Sequence, residues 1–226
     1  YLRTVFDSTE AGQWPRRRLG GITETRSGTT PDRGNPEYFG GDIPWVKTGE
    51  LTDEFVDDTE EHVTKLALRD TSLQLLPAGT LLIAMYGQGR TRGRTAILSR
   101  PATINQACLA VLPRPDLINT KYLQWWFRHN YRRLRQESEG RGGSQPNLNG
   151  DIIREQAVPL PPVAIQLQVA EMLDQYSESL CQLRHALERQ SASLLQLADQ
   201  ALHQAFSGNL TQRVCVPEML EKSGEA

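Results

Sequence analysis

A chain of 226 residues is long enough for one domain of ordinary size plus an extension, or for two small domains, and can bury a core without covalent staples. Its formal net charge of −2 lacks the basic balance of many nucleic-acid binders, and Cys108, Cys181 and Cys215 lie far apart without a CxxC pair, which speaks against a disulfide framework or zinc site and for a reducing cytoplasm. No apolar run approaches the roughly 20 residues that span a bilayer, and the opening Tyr-Leu-Arg-Thr-Val-Phe has no signal-peptide layout, so a soluble, unexported protein is expected.

Residues 1–13 read as a separate N-terminal segment. From Trp14 to Val158, short apolar or β-branched runs alternate with glycine and proline, and strands are expected at Leu19 to Thr25, Thr80 to Met85, Thr95 to Ser99 and Cys108 to Leu112. Charge is unevenly spread. Between Lys47 and Asp70 the chain is acidic (Glu50, Asp53, Glu54, Asp57, Asp58, Glu60, Glu61), whereas Arg90, Arg92, Arg94 and Arg100 share a stretch without acids. Arg128, Arg132, Arg133, Arg135 and Arg141 form a second basic stretch. A helix is expected after Asn119, which can cap it, because Tyr122, Leu123, Trp126, Phe127, Tyr131 and Leu134 recur at helical spacing. The aromatic run Trp125-Trp126-Phe127 therefore reads as core rather than as a platform for stacked bases. Gly140 to Gly150 has the composition of a loop.

Past Pro159, Pro161 and Pro162, neither proline nor glycine occurs until Gly208, and residues 159–210 have the composition of one long helix, about 65 Å at 1.5 Å per residue. Val169, Leu173, Tyr176, Leu180, Leu183, Leu187, Leu194, Leu197 and Ala201 follow alternating steps of four and three, a heptad seam with Gln190 as its one polar member. Such a seam calls for a partner helix, so a coiled coil is expected. Residues 211–226 read as a tail. The helix ends in Leu202-x-x-x-Phe206 and the chain opens with Leu2-x-x-x-Phe6, which suggests a duplication in which residues 1–8 close an earlier copy of the helix; a start without methionine agrees with a fragment.

Catalytic motifs are approached but not completed. Asn35-Pro-Glu-Tyr38 has glutamate where the Asn-Pro-Pro-Tyr signature of amino-methyltransferases has its second proline. Gly87-Gln-Gly89-Arg-Thr-Arg-Gly93 places its third glycine one position too late for a dinucleotide fingerprint and lacks the surrounding βαβ unit. The histidines (His62, His129, His185, His203) show no ligand spacing, and no acid followed by a Glu-x-Lys cluster suggests a nuclease. The acid pairs Asp57-Asp58 and Glu60-Glu61 read as exposed surface. The chain is expected not to be an enzyme and to hold no metal.

Several blocks, in order, resemble the specificity subunit of type I restriction-modification systems. They are Trp14 to Ile22 (WPRRRLGGI), Gly40 to Leu51 (GGDIPWVKTGEL), Leu76 to Leu98 (LPAGTLLIAMYGQGRTRGRTAIL), Ile104 to Pro113, Gly142 to Gln166 (GGSQPNLNGDIIREQAVPLPPVAIQ) and Leu202 to Leu210. The resemblance implies an α+β fold: a mixed α/β target recognition domain with short strands, residues 14–158, followed by a long coiled-coil spacer helix. It implies reading of one half of a bipartite site in double-stranded DNA, with modification (methyltransferase) and restriction subunits as partners. S-adenosylmethionine, ATP and magnesium then belong to those partners and none to this chain. A complete family member carries two recognition domains and two helices, so this chain is expected to be a half-subunit that dimerises or a second half, its partner helix coming from a second copy or from the missing half. Two rivals are a single-chain restriction-methyltransferase with this region at its C-terminus, and a coiled-coil scaffold that binds protein.

For DNA contact the residues offer three sets. The loop from Tyr86 to Arg94 presents Gln88, Arg90, Arg92 and Arg94 between glycines; arginine can address guanine or hold phosphate, and glutamine can address adenine. Arg141, Ser144, Gln145 and Asn147 form the second set. Thr29, Thr30, Arg33, Lys47 and Thr48 form the third. Asn105 and Gln106 read as residues that close a turn.

Overall fold

In the computed structural model, which describes residues 1–87, 89–139 and 148–207, the elements run in the order α1 (Leu2–Phe6), α2 (Thr9–Gln13), β1 (Arg16–Arg18), β2 (Thr25–Ser27), β3 (Phe39–Val46), β4 (Phe55–Val56) and β5 (His62–Val63). They continue with α3 (Lys65–Asp70), β6 (Leu81–Ala84), β7 (Thr95–Leu98), β8 (Thr103–Ile104), β9 (Cys108–Val111), α4 (Thr120–Glu139), α5 (Gly150–Arg154), β10 (Ala157–Pro159) and α6 (Val163–Phe206). The chain divides into two units, Tyr1–Asp174 and a second beginning at Gln175. The fold is mixed α/β with short strands and a long C-terminal helix, as expected.

The first unit is organised by β6, β7 and β9, which are buried along their whole length. They form the middle of a sheet of order β2-β9-β6-β7-β4, antiparallel except where β4 joins β7. Side chains on a strand alternate between faces, and here each face has its own core. Leu81, Ile83, Ile97, Leu109 and Val111 pack with Tyr122, Trp126 and Phe127 of α4. Leu82, Ala84, Ala96, Leu98, Cys108 and Ala110 pack on the opposite side with Val46, Leu51, Val56 and Leu76. Strands covered on both faces read as unbroken apolar runs, which is why these three are legible. A smaller sheet of order β5-β3-β8 carries Trp45 and Val63, and β1 pairs with β10.

The α4 helix starts as the sequence indicates, with Asn119 Oδ1 accepting the Tyr122 N–H at 2.8 Å. Tyr122, Leu123, Trp125, Trp126 and Phe127 are buried, and the Tyr122 hydroxyl donates to the Pro159 carbonyl at 3.1 Å. The aromatic run is core. Residues 1–13 also fold into this unit, where Phe6 is buried against the Tyr122 and His129 rings at 5.7 and 5.3 Å.

Two expectations are corrected. Leu19 to Thr25 is not a strand: Leu19–Gly21 forms a 3₁₀ turn and the strand runs from Thr25 to Ser27. Leu19 and Ile22 both point inward, and apolar residues three apart suit a turn, not the two-residue period of a strand. The seam on α6 does not begin at Val169. Val169 and Leu173 are buried in the core of the first unit, and Gln166 clamps this stretch by accepting the Asn119 N–H and donating to the Leu117 and Pro161 carbonyls. In the second unit the seam positions lie open: Leu180 is 48% exposed, Leu187 56%, Leu194 67% and Leu197 60%, while Gln190 and Ala201 are likewise exposed.

Candidate nucleic-acid interface

The loop from Tyr86 to Arg94 joins β6 to β7 and so rises from the most deeply buried hairpin of the fold. Its backbone depends on glycine: Gly87, Gly89 and Gly93 have φ of 140°, 59° and 87°, where L side chains are strained. A Cβ at Gly93 would also meet the Tyr131 ring at 3.3 Å. Helix α4 holds the loop from behind. Tyr131 donates its hydroxyl to the Arg90 carbonyl at 2.7 Å, and Arg135 Nη1 donates to the Arg92 carbonyl at 2.9 Å. At the loop's foot, the Leu148 N–H donates to the Met85 carbonyl at 2.9 Å, so the end of the second predicted loop abuts the start of the first. Gln88, Arg141, Ser144, Gln145 and Asn147 lie outside the described residues.

Within the loop the arginines differ. Arg90 is exposed, as is Tyr86 at 39%, and Arg94 lies half-open with Nε 3.9 Å from Asp53 Oδ2. Arg92 is only 5% exposed. The expectation that it reaches DNA is therefore corrected, since a guanidinium folded into the body has no face to offer a duplex. Arg92→Ala is expected to lower stability by roughly 1–3 kcal/mol through lost buried packing and polar contact, while Arg90→Ala leaves the thermal melt unchanged. Equal melting temperatures for the two variants would contradict this difference in placement.

The third set is also corrected in part. Arg33 is bound bidentately to Glu61, with Nη1 to Oε2 at 2.5 Å and Nη2 to Oε1 at 3.2 Å, and its guanidinium sits 4.7 Å from the Phe39 ring centre and 5.0 Å from that of Trp45. Lys47 Nζ reaches Glu61 and Glu60 at 2.9 and 3.0 Å. Thr30 hydrogen-bonds the Gln106 side chain, Thr29 Oγ1 lies 2.8 Å from Ser72 Oγ, and Thr48 opens a half-buried 3₁₀ turn. These cations are thus paired within the fold, so Arg33 and Lys47 present little unmatched charge to phosphates. Glu60 is exposed, as expected of that acid pair, whereas the half-buried Glu61 is a structural partner of both cations. Asn105 does close a turn, its Oδ1 accepting the Ala107 N–H at 3.2 Å.

Arg33 and Lys47 hold the Glu61 carboxyl down to about 2, from its ordinary 4.5, chiefly through hydrogen bonds, and the Lys47 ammonium is raised in return. A carboxylate with a lowered folded value contributes stability that is complete above about 4.5 and is lost as pH falls toward 2. Glu61→Gln is expected to flatten that part of the melting-temperature profile. A profile as steep as the parent's would show that other carboxylates carry the acid limb.

Sequence reasoning missed three neighbours of the loop, Asp53, Arg128 and Tyr131. Only Arg128 and Tyr131, one helical turn apart, left a signal. The exposed strand Arg16–Arg18 is a further basic patch it passed over. Burial pushes the thiol of Cys108, on β9, far up, and among the described residues no group of three or more His, Cys, Asp or Glu side chains is placed to hold a metal ion. Among the same residues no helix is long and apolar enough to cross a membrane.

Comparison with known proteins aligns this chain with one family. The family described as type I restriction modification DNA specificity domain matches residues 12–190. The MjaIX type I restriction enzyme specificity subunit of Methanocaldococcus jannaschii is 27% identical over 182 residues, which cover 77% of this chain and 41% of that protein. The EcoR124I/EcoR124II specificity subunit of Escherichia coli is 24% identical over 192 residues, 84% of this chain and 47% of the other. The chain thus spans about half the length, or somewhat less, of the curated relatives it matches. Among solved structures, a chain of a type I restriction-modification system superposes with a TM-score of 0.68 at 18% identity, covering 91% of this chain and 51% of that one. The HsdS subunit from Thermoanaerobacter tengcongensis gives 0.60 at 18% identity, with 76% and 39% covered, a likeness of fold.

Proposed function

Because the chain belongs to the family of type I restriction modification DNA specificity domains, we propose that it is a non-catalytic module that reads one half of a bipartite DNA target for a type I restriction-modification complex. Methyl transfer and cleavage, with the S-adenosylmethionine, ATP and magnesium they use, fall to partner subunits, and the modification subunits pack against this one. The element that meets DNA in this scheme is the Tyr86–Arg94 loop, with Tyr86 and Arg90 exposed among its described side chains and Arg94 half-open beside them.

The observation that carries the reading is the open seam of α6. Leu180, Leu183, Leu187, Leu194 and Leu197 repeat at heptad spacing and are each 48–67% exposed, an apolar stripe that water tolerates only until another helix covers it. A second helix of the same kind, from another copy or from another half of a longer specificity chain, supplies that cover. Helix α6 has 44 residues, about 66 Å, of which residues 175–206, about 48 Å, lie beyond the first unit, and a stiff spacer fixes the offset between two readers where a flexible linker would blur it.

The test is selection from a random duplex pool by the chain assembled with its modification subunit. Enrichment of a split motif with a constant gap is the expected result. Assembly without enrichment of any sequence would point instead to a protein-binding scaffold.

A further inference from the structure

Three guanidinium groups converge on one cavity beside the loop. It has a volume of about 270 Å³ and is lined by Leu2, Asp53, Arg90, Arg94, Arg128 and Tyr131. Arg128 is held from outside the cavity, and Arg90 and Arg94 are tied to residues of its lining. Arg128 lies 4.0 Å over the Trp125 ring, and Trp125 is itself fixed by donating Nε1–H to Asp174 Oδ1 at 2.9 Å. The main chain of Arg90 is tied to Tyr131. Arg94 faces Asp53, whose Oδ1 already accepts the Thr95 N–H and hydroxyl at 3.0 and 2.9 Å, and whose backbone sits at φ 68°, in the left-handed region. Among the described residues three cations therefore meet a single carboxylate that is engaged elsewhere, and their excess charge in the cavity is positive.

We propose that this cavity binds one phosphodiester phosphate of the DNA duplex and so sets the register of the Tyr86–Arg94 loop on its target. The assignment rests on reading the chain as a DNA-recognition module. Guanidinium donors match phosphate oxygens in pairs, and a convergent set held in advance loses little side-chain freedom on binding. A contact of this kind positions the protein and carries no sequence information.

The test uses the full 226-residue chain and fluorescence anisotropy with labelled duplexes of about 30 base pairs and unrelated sequence, over a salt series. Arg128→Gln and Arg90→Gln are each expected to reduce the slope of log affinity against log salt by about 0.9, so that the loss of affinity between about 50 and 200 mM salt shrinks roughly 3.5-fold, equally on all duplexes. Arg128→Lys should keep most of the slope. Since Arg128 stacks on the core, the exposed Arg90 serves as the second variant, and thermal melts confirm that both are folded. A parent that binds duplex while both folded variants keep its slope would overturn the cavity and leave the recognition module standing. A parent that binds no duplex would overturn both. A third arm titrates inorganic phosphate by calorimetry: phosphate binding lost in Arg128→Gln with an unchanged duplex slope would make this a free-anion site and overturn the DNA assignment.

Discussion

Glutamate at both Leu180 and Leu187 is expected to abolish pairing of the long helix while leaving the first unit folded. The two positions are one heptad apart, lie 48% and 56% exposed, and belong to the second unit, so neither supports the core of the first unit, to which α6 contributes Val169, Ala170 and Leu173. Covering a leucine with a partner helix is worth about 1.5–3 kcal/mol, and in a pair of identical helices four leucines are lost at once, so association should weaken by about 6 kcal/mol or more, roughly four orders of magnitude. Introducing like charges along the seam adds to the loss. Sedimentation velocity reads the pairing, and the melting transition of the first unit provides the control. A doubly substituted chain that pairs as its parent does would remove the seam from the account.

The second large effect is expected at Phe127. Its side chain is fully buried between α4 and the sheet and meets the Trp126 ring edge-on at 5.1 Å. Truncation to alanine should cost about 3–5 kcal/mol, which for a body of this size lowers the melting temperature by roughly 10 °C. The same variant separates two readings of the aromatic run. If these rings were a stacking platform for bases, Phe127→Ala would leave the melt intact and weaken DNA binding. A core role moves the melt first, as calorimetry would show.

How much of this was visible in the sequence depends on where the signals lay. Strands β6, β7 and β9 were legible because both faces are buried and the runs are apolar or β-branched; α4 was legible by its cap and period, and α6 by its period and the absence of proline and glycine. Strand β1 was not, since Arg16, Arg17 and Arg18 are all exposed and become a strand only by pairing with Pro159, Val158 and Ala157. The two-residue strands β4, β5 and β8 are too short for any period to register. At the candidate interface the glycine-spaced arginine loop could be found by composition, but the burial of Arg92 could not, because a charge reads as surface until the surrounding fold encloses it. The pairing of Arg33 and Lys47 with Glu61, 28 and 14 residues away, arises only in three dimensions. So does the meeting of Asp53, Arg94 and Arg128.

The parity of the central hairpin has a further consequence. Because β6 and β7 send alternate side chains into two separate cores, the strands that carry the Tyr86–Arg94 loop are gripped from both sides, and none of the described residues at the crest of that loop belongs to either core. A crest so mounted is interchangeable. The exposed Arg90 can be exchanged for another residue without disturbing the stalk, provided Gly87 and Gly89 keep their positive φ, Arg92 stays enclosed and Gly93 keeps clear of the Tyr131 ring. A scaffold of this build can change the chemistry of a few exposed positions while its folding remains untouched.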